Sequence, residues 1–176
     1  MDITKQSYMY SDLEEFLKSE FSSHSNLNIF MIYKLDDQKA FQLSQGLEKC
    51  IKLVQISVQI RSNKISNSAA SAVAKSLSMC PNLQNILLFM QCNHIQNQGA
   101  TEIGQFLSYC TNLSILNIDL TRNYISQPQE LCINLTKCQN LTSLKLNLSN
   151  NGILNRKNLR KHLLKIKKLV NLNLIY

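Results

Sequence analysis

Four stretches of this chain can be laid on top of one another: CIKLVQISVQIRSNKI (residues 50–65), CPNLQNILLFMQCNHI (80–95), CTNLSILNIDLTRNYI (110–125) and CQNLTSLKLNLSNNGI (138–153). Each opens on a cysteine, alternates aliphatic residues through its middle and closes on Asn-x-Ile. The asparagines, Asn63, Asn93, Asn123 and Asn151, follow one another at 30, 30 and 28 residues. A period of that length, made of one strand and one helix, is the mark of a solenoid whose like units stack side by side.

The spacing inside a unit says which half is which. Leu144, Leu146 and Leu148 recur at every second residue, as a strand with one buried face requires. The equivalent sets are Ile56, Val58 and Ile60; Ile86, Leu88 and Met90; and Leu116, Ile118 and Leu120. Past the asparagine the period changes. Ala70, Val73, Ala74 and Leu77, and again Ala100, Ile103, Gly104 and Leu107, fall on one helical stripe. The small members, Ala70, Ala74, Ala100 and Gly104, allow the helix a close approach to its neighbours.

The recurrent asparagine and cysteine have physical reasons to recur. Where the chain leaves a strand its backbone groups lose their ladder partners, and a carboxamide offers both donors and an acceptor to replace them. The thiols at Cys50, Cys80, Cys110 and Cys138 read as small buried apolar groups. One thiol every 30 residues or so lacks the short paired spacing of zinc ligands, so neither a metal nor a cofactor is expected.

The phrase resembles the leucine-rich repeat hallmark, Leu-x-x-Leu-x-Leu-x-x-Asn-x-Leu. With its helical second half it is most similar to the ribonuclease-inhibitor-like subclass, as a variant with a lengthened strand: a further aliphatic step, Leu148 after Leu146, comes before the asparagine. The resemblance covers residues 24–176. It implies an α/β horseshoe with a parallel sheet on the concave side and helices on the convex side. The whole chain, 1–176, is then one domain: an N-terminal helical cap over 1–23 and about five repeats over 24–176, the last incomplete.

The ends are less regular. Leu13, Phe16, Leu17 and Phe21 have helical spacing behind a Ser11-Asp12 cap. Phe30 and Ile32 suggest a degenerate first strand, followed by a helix holding Ala40, Leu43 and Leu47. At the other end Leu159, Leu163 and Ile166 predict a C-terminal helix, and Leu172 and Leu174 a final strand. The sequence stops at Tyr176 without a polar capping unit, which implies either a fragment or a partner over that end.

Composition narrows the function classes. Among 176 residues, 44% are hydrophobic, yet no apolar run reaches membrane-spanning length, and the first residues lack a secretory pattern. Cysteines in a packing register point to a reduced, intracellular setting, with the cytoplasm the expected compartment. Of the net charge of +8, all lies late in the chain: residues 1–130 carry 10 basic and 11 acidic side chains, and the nine basic residues after Glu130 have no acidic companion.

Three functional readings follow. Within the family the outward residues of the sheet commonly contact partners. Projecting the alternation gives outward columns of Gln55, Asn85, Ile115 and Ser143; of Ser57, Leu87, Asn117 and Lys145; and of Gln59, Phe89, Asp119 and Asn147. Leu87, Phe89 and Ile115 form an apolar island, with Asp119 and Lys145 beside it, and predict a non-catalytic scaffold for protein partners, as a subunit of a larger assembly. The second reading gives Arg156, Lys157, Arg160, Lys161 and Lys165 of the C-terminal helix to a polyanion such as RNA, DNA or anionic lipid. The third makes the chain a regulatory piece of a longer enzyme such as a kinase. Catalysis by the chain itself is not expected: His24, His94 and His162 fall at different repeat phases, and Gly99 and Gly104 do not build a phosphate loop.

Overall fold

The computed structural model describes residues 7–176. Strands and short helices alternate along it: β1 (Ser7–Tyr10), α1 (Leu13–Leu17), β2 (Asn26–Phe30), α2 (Asp37–Leu47), β3 (Gln55–Gln59), α3 (Asn67–Ser78), β4 (Asn85–Phe89), α4 (Asn97–Leu107), β5 (Ile115–Asp119), α5 (Gln129–Leu135), β6 (Ser143–Asn147), α6 (Leu159–Leu163) and β7 (Asn171–Ile175). A 3-10 turn at Phe21–Ser23 separates α1 from β2. The strands form one all-parallel sheet in the order β1-β2-β3-β4-β5-β6-β7. Register follows the repeat: Ile56 pairs with Ile86, Ile86 with Leu116, Leu116 with Leu144, and Leu144 with Leu172.

The inward side chains of β3 to β6 are fully buried, and so are Ile60, Met90, Leu120 and Leu148, one residue beyond each strand. Those four are the lengthened step of the repeat. On the helices, Ala70, Val73, Ala74, Leu77, Ala100, Ile103, Gly104 and Leu107 are buried as the stripe requires. At Gly104 the small residue has a visible reason. A Cβ built on Gly104 would sit 2.9 Å from Leu131 Cδ1 and 3.0 Å from the Leu131 carbonyl oxygen, so α4 and α5 approach through that glycine.

Asparagine side chains tie successive turns together. Asn93 Oδ1 accepts the N–H groups of Asn63 (3.0 Å) and Ile65 (3.1 Å), and its amide donates to the carbonyls of Ile60 and Met90, both at 3.0 Å. Asn123 and Asn151 repeat the pattern. Three helix-end thiols reach back in the same way, Cys80 Sγ donating to Leu47 O (3.7 Å), Cys110 Sγ to Leu77 O (3.8 Å) and Cys138 Sγ to Leu107 O (3.7 Å), while Cys50 Sγ donates within its own repeat to Gly46 O (3.5 Å). The row of cysteines is therefore a stacking feature, and all six thiols are free.

Neighbouring strands lie about 4.8 Å apart while packed helices need about 8–10 Å, so stacking such units bends the array with the sheet on the inside. The helices shorten from 12 residues in α3 to five in α6.

Three expectations need correction at the ends. Of the helical cap expected over 1–23, residues 1–6 lie outside the described residues, and 7–23 is not helical alone: Asp12 does cap α1, its carboxylate accepting Glu15 N–H, but β1 precedes it and pairs in parallel with β2. The strand expected from Phe30 and Ile32 is β2, and its inward phase is the opposite one. Leu27, Ile29 and Met31 face the core, while Phe30 points outward and is 40% exposed. The C-terminal helix is shorter than its apolar stripe: a left-handed Asn158 (φ 65°) fixes its start, and α6 spans only Leu159–Leu163. Ile166 is buried beyond it, in the turn that leads to β7.

Candidate functional site

The outward rows of the sheet assemble as the alternation predicts. Gln55, Asn85, Ile115 and Ser143 stand side by side, as do Ser57, Leu87, Asn117 and Lys145, and Gln59, Phe89, Asp119 and Asn147. Leu87 and Phe89 are two residues apart on β4, and Ile115 is diagonal to Leu87 across β5, within the reach of long side chains. The island is contiguous. Its exposure is uneven: Ile115 is 41% exposed, whereas Leu87 and Phe89 are half-buried by the flanking rows.

The flanking polar groups are not equivalent. Asp119 accepts hydrogen bonds from Thr121 N–H (2.9 Å), from the Thr121 hydroxyl and from Asn147 Nδ2 (3.2 Å), so its carboxylate is spent within the sheet. Asn147 in turn accepts from the N–H and hydroxyl of Ser149. Lys145 is exposed and projects from the row of Leu87. Asn117, between them, has a buried Oδ1 without a protein partner.

Sequence reasoning missed three outward apolar residues on the same face. Phe30 occupies the row of Gln59 and Phe89, Met9 that of Asn28 and Ser57, and Ile175 that of Asn147. The signal for Phe30 was available, since Leu27, Ile29 and Met31 carry the same period-two alternation as every other strand.

The basic residues of the last quarter do not share a helix. Arg156 and Lys157 lie before α6, Arg160 and Lys161 within it, and Lys165 after it. Arg156 instead places its guanidinium 5.4 Å from the centre of the Tyr176 ring. The single helical surface expected for a polyanion is thus divided among two loops and one short helix.

Chemistry elsewhere is packing chemistry. Burial pushes the thiols of Cys50, Cys110, Cys132 and Cys138 up to about 12 and that of Cys80 to about 11, with neighbouring cysteines adding for Cys50 and Cys110 and Glu48 for Cys80. Such thiols are inert as nucleophiles. His24 is buried among Tyr8, Tyr10 and Phe16, its Nε2 lying 2.9 Å from Ser19 Oγ. Desolvation lowers its pKa, with Glu20 pulling weakly the other way. Among the described residues no three His, Cys, Asp or Glu side chains gather as a metal site would need. Among them, too, no helix is long and apolar enough to cross a membrane.

These features define a class: a leucine-rich-repeat-like solenoid, with one parallel sheet and helices along one side of it. No family model matches the chain. No curated protein matches it either. Among solved structures the chain is similar to the crystal structure of an internalin C2 from Listeria monocytogenes, at 15% sequence identity and a TM-score of 0.38, over 80% of this chain and 74% of that one.

Proposed function

We propose that this chain is a non-catalytic protein-binding module that receives its partner on the outer face of the sheet. One observation carries the reading: Leu87, Phe89 and Ile115 form a contiguous apolar island on the one face of the sheet that no helix covers. Parallel sheets are ordinarily buried on both faces, so an open face with apolar residues is a surface built to be covered by something else. A half-buried aromatic anchor, Phe89, ringed by amides has the anatomy of an interface centre. Lys145 supplies a free charge at the edge, which favours a partner carrying a carboxylate opposite it. A donor from the partner would also relieve the unpaired Asn117 Oδ1.

The module works in a reducing intracellular compartment, as its free, buried thiols suit. It contributes contacts to a larger assembly, not chemistry. Truncating Phe89→Ala tests the site. Binding should weaken roughly tenfold or more while the melting transition keeps its cooperativity. An unchanged affinity would remove Phe89, and with it the island, from the interface.

A further inference from the structure

Every strand leaves the sheet on the same side, and the loops that follow form one continuous rim. Backbone bonds hold them in register beyond the strands: Ser62 N–H donates to Gln91 O, Cys92 to Thr121 O, Arg122 to Ser149 O, and Tyr124 to Ile95 O. Residues far apart in sequence therefore become neighbours. Along the rim stand Lys34, Arg61, Lys64, Arg122, Arg156 and Lys157, all exposed. Loops 60–66, 90–96, 120–128 and 148–158 contain no aspartate or glutamate. The nearest carboxylates are already engaged: Asp36 caps α2 through Lys39 N–H, Asp37 accepts the Ser66 N–H at the foot of loop 60–66, and Asp119 bonds Thr121 and Asn147.

Aromatic rings interleave with these cations. Tyr33 is 81% exposed and Tyr124 62% exposed, and the His94 ring lies 5.8 Å from that of Tyr124. Tyr176, under Arg156, ends the row. The opposite rim differs: its cations, Lys49, Lys52, Lys137, Lys165, Lys167 and Lys168, are all lysines. Ammonium groups attract any polyanion, whereas guanidinium and phenol planes also stack on bases.

We propose that the strand-exit rim binds single-stranded nucleic acid, with phosphates along Arg61, Lys64 and Arg122 and bases on Tyr33 and Tyr124. A single strand fits better than a duplex, because only unpaired bases offer faces to exposed rings, and that stacking tolerates any sequence. The rim is separate from the Leu87–Phe89–Ile115 island, so this reading does not depend on the protein-binding one.

Fluorescence anisotropy of the full chain with labelled poly(U) RNA of about 20 nucleotides, beside a duplex of similar length, tests it as salt is raised from about 50 mM. The single strand should bind more tightly than the duplex. The triple variant Arg61→Gln/Lys64→Gln/Arg122→Gln should flatten the log-affinity against log-salt slope by about 2. Tyr33→Ala/Tyr124→Ala should lower affinity roughly tenfold or more with the slope retained. Lys52→Gln/Lys167→Gln/Lys168→Gln on the opposite rim should leave both unchanged. All these side chains are exposed, and a melting curve of each variant checks that folding is intact. The proposal is overturned by no binding of the single strand, by equal binding of the duplex, by tyrosine variants that bind as the wild type does, or by an equal loss from the opposite-rim variant.

Discussion

Asn93 holds Asn63 from one repeat away: its Oδ1 accepts the Asn63 N–H at 3.0 Å while its amide donates to the Ile60 carbonyl, also at 3.0 Å. One side chain thus satisfies backbone groups on both sides of a turn that belongs to its neighbour. This converts a local turn requirement into a stacking interaction, and it fixes the period of the sequence.

Asn93→Ala should cost roughly 1–3 kcal/mol, because it leaves buried N–H and C=O groups unpaired. Chemical denaturation would measure it. Asn93→Asp should also destabilise: its carboxylate keeps the acceptor but loses both donors to Ile60 and Met90. A loss near zero for the alanine variant would mean that water replaces the carboxamide.

The cysteine row makes a pH prediction. Five thiols have folded pKa values raised to about 11 or 12, while in the unfolded chain they titrate near the ordinary value of about 8.5. Above the unfolded value the unfolded chain releases protons that the folded chain keeps, so each thiol's contribution is present below about pH 8.5 and is lost as pH rises toward 12. Denaturation midpoints should fall across that window. At neutral pH a maleimide should label exposed Cys92 quickly and the five buried thiols only on unfolding. Rapid labelling of all six would contradict the burial.

Gly104→Ala sets two effects against each other. Alanine favours a helix over glycine by about 1 kcal/mol. Its methyl, however, would meet the Leu131 backbone carbonyl at 3.0 Å, and that contact cannot move without shifting α5. Overpacking of this kind costs about 1–3 kcal/mol, so the net effect should be destabilising. A raised melting temperature would show that the α4–α5 contact is looser than described.

Much of this architecture is legible in the residues, for a simple reason: a stacked unit repeats its demands. Buried Ile56, Ile86, Leu116 and Leu144 each need an aliphatic side chain at one phase, and Asn63, Asn93, Asn123 and Asn151 each answer the same unpaired turn. Where the demand weakens, so does the signal. Phe30 reads as a core residue because an aromatic ring can sit on either face, and the competing alternation of Leu27, Ile29 and Met31 is what carries the true phase. The run Leu159, Leu163 and Ile166 kept a helical period although Asn158 starts it from a left-handed turn and the helix ends at Leu163. The outward rows could be projected from alternation alone. That Phe89 is half-buried, that Asp119 is spent on Thr121 and Asn147, and that Arg61 and Arg122 share a rim all depend on register between strands, which no single repeat encodes.

The face that meets a partner is the central question, and site-specific photo-crosslinking answers it most directly. A photoreactive residue would replace Ile115 on the sheet face in one variant and exposed Gln105 of α4 in another, each used with partners from native cells. The account predicts protein adducts from position 115 that Phe89→Ala suppresses, and none from position 105. Adducts from 105 with none from 115 would contradict it.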